Sequence, residues 1–204
     1  MQPIRAILAL AVAVGLGACA QVDDVTRAAP LSPLVGPAGA GAMPAVSRDY
    51  KVAAVDVEVP ATLVVGESNS YMPRGDIVWR EDGPGDRYAQ VGGLITEALT
   101  GAVADLDGAR EVRLAVVVTR FHALSEKARF GVPSGLATHD VQMTLAVLDA
   151  ATGEVIEAAR PVGFRIAAHT SDDAIADMAR GITQRSRISE ALAILVRREL
   201  GAAG

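Results

Sequence analysis

The stretch that most limits the fold is Val112 to Phe121. It carries apolar residues on both parities, with Leu114, Val116 and Val118 on one and Ala115, Val117 and Phe121 on the other. Successive side chains of a strand point to opposite faces, so such a strand needs cover on both sides and belongs in the middle of a sheet. The rest of the chain has to supply its neighbours. Immediately upstream, Val91, Leu94, Ile95, Ala98, Leu99, Ala102, Val103 and Leu106 recur at three and four residues, one apolar stripe along a helix. Asp86 stands where that helix needs an N-cap, and Gly108 supplies a stop.

Several shorter patterns complete the sheet. Val55, Val57 and Val59 alternate with Asp56 and Glu58, a strand with one wet face that Pro60 ends. Leu63–Val65 and Ile77–Trp79 are short apolar runs. Val141, Met143, Leu145 and Val147 alternate with Asp140, Gln142 and Thr144, and Asp149 to Gly153 reads as a hairpin loop. Val162, Phe164 and Ile166 form the return strand, with Pro161 marking an edge or bulge. Residues between Glu126 and Gly135 read as a loop. Beyond Thr170 lie two apolar stripes, Ile175, Met178, Ala179 and Ile182, then Ile188, Leu192, Leu195 and Val196, with Gly181 a kink between them. The order of strands, helix, three strands and helix predicts an α+β domain over residues 49–204: an antiparallel sheet with two helices packed on one face.

The N-terminus is of another kind. Arg5 precedes an apolar run from Ala6 to Leu16, the charged and apolar regions of a secretory signal. The run is shorter than the roughly 20 residues a membrane span needs. It leads through Leu16-Gly17-Ala18 into Cys19, the chain's single cysteine. This stretch resembles the lipobox of bacterial lipoproteins. The resemblance implies a signal peptide over 1–18, cleavage between Ala18 and Cys19, and a diacylglycerol and an N-acyl chain on Cys19. Ala20 follows, where an aspartate would resemble an inner-membrane retention signal, so the implied site is the inner leaflet of the outer membrane, facing the periplasm. Residues 19–48, with Pro30, Pro33, Pro37 and Pro44 among glycines, read as a flexible tether. Its r.m.s. reach is about 30 Å by random-coil scaling.

Composition narrows the function. A net charge of −5 argues against a phosphate-neutralising nucleic-acid binder, and 3% aromatic residues leave few stacking platforms. With Cys19 spent on lipid, no disulfide and no cofactor beyond that lipid is expected.

The stretch from Asp76 to Val91, with Trp79, Asp86, Arg87 and Gln90, resembles a family of Gram-negative lipoproteins of unknown function. In layout the domain is similar to auxiliary lipoproteins of transport systems. The likeness carries no activity with it; the anchor, the tether and a domain bare of catalytic motifs point instead to a non-catalytic envelope component that binds a protein or lipid-transport partner, with Trp79, Arg80, Asp86 and Arg87 as the candidate partner surface. The same charges also suit a turn and helix cap around a packed tryptophan.

The alternative is a periplasmic metal-dependent hydrolase. His122 ends one strand and His139 begins its antiparallel neighbour, with Asp140 beside it, a donor set that could hold zinc. His169 is expected about 15 Å from that pair, counting about 3.3 Å per residue of strand. Neither zinc-type spacing nor an HExxH motif is present, and solvated histidines at strand ends are the better reading.

Overall fold

A computed structural model describes residues 49–202. The signal peptide, Ala18, Cys19 and the tether lie outside the described residues.

Five strands and four helices follow in the order β1 (Tyr50–Glu58), β2 (Ile77–Val78), α1 (Arg87–Val103), β3 (Arg110–His122), α2 (Glu126–Gly131), β4 (Thr138–Asp149), β5 (Val155–Ala167), α3 (Ser171–Ala179) and α4 (Gln184–Glu199). All five strands join one sheet, β1-β3-β4-β5, with β2 also on β3. β3 is internal, as its two-sided apolar pattern requires. β3, β4 and β5 run antiparallel in turn, Val116 facing Leu145 and Met143 facing Val162.

The class is α+β, as expected, but the sheet is mixed: β1 and β2 both lie parallel to β3. The cause is α1. A helix between two neighbouring strands returns the chain to its starting end, so the strands it joins run the same way. β1 pairs with the first part of β3, Val57 opposite Val116, and β2 with its last two residues, Ile77 opposite Phe121.

The α1 stripe is buried at Val91, Leu94, Ile95, Leu99 and Val103. It meets Val112, Leu114, Val116 and Val118 of β3, Leu145 of β4, and Ile188, Leu192, Leu195 and Val196 of α4 in one apolar core. Each such side chain contributes about 1.5–3 kcal/mol on burial. α1 ends at Val103, short of Gly108.

Two expectations fail in the C-terminal half. Residues 126–131 form the short helix α2, capped by the Ser125 hydroxyl accepting from the Ala128 amide, where a loop was expected. The stripe of Ile175 and Met178 is not a core stripe: α3 buries Ala174 and Asp177 instead, leaving Ile175 and Met178 60% and 56% exposed. Gly181 does more than kink the helix. Its φ of 73° is a left-handed conformation open to glycine, and the chain breaks there into two helices.

Candidate functional site

The segment from Glu67 to Arg87 builds an ionic hub around Trp79. The indole is 1% exposed and packs edge-on against Phe121 at 5.7 Å. Its N–H donates to Asp82 Oδ2 at 2.7 Å. Arg185, from the first turn of α4, donates to both Asp82 oxygens at 2.8 and 2.7 Å and lays its guanidinium 5.5 Å from the indole ring. Burial alone would raise the Asp82 carboxyl, but the bonds from Trp79 and Arg185 outweigh it and hold it below the usual carboxylate range. Glu81 accepts the Gln184 and Arg185 amides at 3.0 and 2.6 Å, and Arg129 at 3.2 Å. It thus places a negative charge on the positive end of α4.

Arg87 is 7% exposed, so it needs partners for its donors. Glu67 accepts from its Nε at 2.8 Å, and Gly83 O and Gln90 Oε1 accept from Nη1. The Arg87 bond in turn lowers the Glu67 carboxyl pKa. Arg80 donates to Glu126 at 2.8 Å and to the Glu67 carbonyl at 2.7 Å. Asp86 caps α1, its Oδ1 accepting from the Tyr88 and Ala89 amides. Of the four residues read as a partner surface, Trp79 and Arg87 are thus buried, Arg80 is half-buried, and Asp86 is exposed. Glu67, Glu81, Glu126 and Arg185 complete the hub. Glu81 stands in the same local run of charge, whereas Glu126 of α2 and Arg185 of α4 meet the hub from other elements, and no local pattern marked them.

The register separates the proposed zinc ligands. His122 pairs with Asp140 across the strands, while His139 pairs with Ile166 of β5. Adjacent residues of β4 face opposite ways, so Asp140 shares His122's side of the sheet and His139 does not. Arg120 bridges the first two, donating Nε to Asp140 at 3.2 Å and Nη2 to His122 Nδ1 at 3.1 Å. A guanidinium cannot accept, so Nδ1 is the acceptor and Nε2–H donates to the Gly75 carbonyl at 2.7 Å. Both ring nitrogens are occupied, and no lone pair remains for a metal. Burial, with the Arg120 charge, lowers the His122 pKa. Asp140 is further bonded by Arg165 and Gln142.

His139 is 1% exposed, not solvated, and its Nδ1 has no hydrogen-bond partner. Burial, with Arg187, Arg129 and His169 nearby, lowers its pKa to about 4. The β4–β5 register also corrects the placement of His169. Thr138 pairs with Ala167, which brings His169 to the same end of the sheet as His139. His169 Nδ1 contacts Asp177 Oδ2 at 2.7 Å, and Arg180 donates to the other oxygen at 2.6 Å. Among the described residues, no group of three His, Cys, Asp or Glu is placed to hold a metal ion. Beside Arg120 and His122 the surface opens into a groove of about 610 Å³.

Residues 50–204 match the model of DUF6778, a family of unknown function, and the chain belongs to that family. No functionally curated protein matches it. Among solved structures, it is similar to a candidate lipoprotein of Caulobacter crescentus CB15, at 17% identity and a TM-score of 0.32, over 76% of this chain and 88% of that one. It is similar to a DUF330 protein of Xanthomonas campestris at 15% identity and a TM-score of 0.36, over 82% and 95%. A dodecameric PelC variant of Paraburkholderia phytofirmans gives 16%, 0.35, 79% and 93%. Overlays this loose carry no argument about what the chain does.

Proposed function

We propose that this DUF6778 chain is a lipid-anchored envelope protein that acts by binding rather than by catalysis. The observation that carries the reading is Leu16-Gly17-Ala18-Cys19 at the end of a short apolar run behind Arg5. On this reading the signal is cut between Ala18 and Cys19, and Cys19 carries the diacylglycerol and N-acyl chains. More than one chain is what stable anchoring needs. Residues 19–48 hold the domain off the inner leaflet of the outer membrane, facing the periplasm, where it meets an envelope protein partner. The geometry supports binding over hydrolysis: His122, Asp140, Asp82 and Glu81 spend their polar atoms on neighbouring side chains and amides.

Two measurements test the proposal. Metabolic labelling with a radioactive fatty acid is expected to mark the wild type and not Cys19→Ser; equal labelling refutes lipidation at this residue. Crosslinking in intact cells is expected to join the wild type to one envelope protein. Recovery no higher than for Cys19→Ser counts against the partner.

A further inference from the structure

The groove at the end of β3 combines two features. The first is its apolar rim. Met72 is 85% exposed, Leu136 75% and Tyr71 53%, and all three line the same groove, over the buried Leu124 and Ala128. Large apolar side chains scattered singly need no explanation, but several gathered on one concavity mark a binding site. Its volume of about 610 Å³ lies within the range of small-molecule sites. Tyr71 is held in place: Lys127 lies 4.8 Å from its ring centre, and a Cβ at Gly131 would come within 2.9 Å of that ring.

The second is charge. The chain as a whole is acidic, at −5, yet the groove gathers cations. Arg120 lines it, and Lys127 covers its tyrosine. Arg120 gives Nε to Asp140 and Nη2 to His122, while its Nη1 has no partner among the described residues. No carboxylate pairs with Lys127 among the described residues. Asp140, the carboxylate that meets Arg120, is shared with Arg165.

An apolar trough ending at unspent cationic donors fits a ligand of matching polarity. The geometry points to a binding site for a single-chain fatty carboxylate, its head group accepting from Arg120 Nη1 and Lys127, its alkyl chain covering Tyr71, Met72 and Leu136. The site is independent of Cys19 and holds whether or not the anchor is as proposed above.

The test uses the full chain made cell-free, with 13C-methyl methionine, titrated with sodium palmitate below its micellar range. The five methionines report separately, and Met72→Leu assigns the one in the groove. Palmitate is expected to shift the Met72 methyl saturably while Met178, 56% exposed on α3, stays still. Leu136→Ser is expected to weaken binding about tenfold through lost apolar contact, and Lys127→Gln to weaken palmitate but not hexadecanol. Both positions are exposed, and an unchanged urea midpoint shows that each variant folds. Equal shifts at Met72 and Met178 mean non-specific adsorption and overturn the site. Equal affinity for hexadecanol and palmitate overturns the carboxylate. A Met72 shift that follows protein concentration without palmitate identifies a second copy as the occupant and overturns the ligand.

Discussion

The hub around Trp79 and the groove beside Tyr71 share two pieces of chain, the segment from Glu67 onward and α2 with its flanks, and they treat charge in opposite ways. Glu126 belongs to the hub and pairs with Arg80 at 2.8 Å; its neighbour Lys127 belongs to the groove and pairs with no carboxylate among the described residues. Glu67 closes onto Arg87, while Tyr71 and Met72, a few residues on, stay exposed. Cohesion and availability are therefore different uses of one loop. A charged cluster that satisfies itself stabilises the fold, whereas one left open has something to offer a ligand.

That contrast can be broken by mutation. Trp79→Ala is expected to cost about 3–5 kcal/mol in urea unfolding, the range for a buried aromatic; a loss near zero would mean the hub is not a folding element. Glu81→Ala removes the acceptor for two first-turn amides of α4 and should cost about 2 kcal/mol, read the same way. Stability also depends on pH through His139. His139 has an ordinary value of 6.5 and a folded value of about 4, so between them the unfolded chain holds a proton that the fold does not. Stability from this group is whole above about pH 6.5 and falls as pH drops toward 4, with a limiting slope of about 1.4 kcal/mol per pH unit. His122, lowered in the same direction, adds to the fall. His139→Leu should flatten the profile of urea midpoint against pH in that window, and an unchanged slope would assign it to other groups. Smallest of all, Met72→Ser and Leu136→Ser should each shift stability by no more than about 0.5 kcal/mol, since exposed side chains contribute little to folding. A larger loss would make the groove part of the core.

Much of the architecture could be read from local pattern. The α1 stripe, the Asp86 cap, the internal β3 and the β4–β5 hairpin all appear where periodicity and turn chemistry put them. Each is decided within about 15 residues of chain, the span over which a hydrophobic period expresses itself. The parallel pairing of β1 with β3 was not legible, because it depends on where α1 returns the chain. Register explains the histidines. A one-residue offset decides the face, so His122 and His139 could seem neighbours in sequence logic and end on opposite sides. Ile175 and Met178 have helical spacing, but which face of α3 is buried is set by Asp177, drawn in by His169 and Arg180. The groove has the weakest local signature of all, being assembled from separate short segments.

The bonds from Glu81 and Asp82 to α4 also bear on how the molecule is made. They join residues separated by 103 and 104 positions. Synthesis at roughly 5–20 residues per second puts about 5–20 s between the two ends of that contact. Throughout that interval the emerging chain holds two carboxylates whose acceptors face no helix, and a tryptophan without its arginine. α4 is therefore the helix that locks the first half, and a chain released before α4 emerges leaves that lock open.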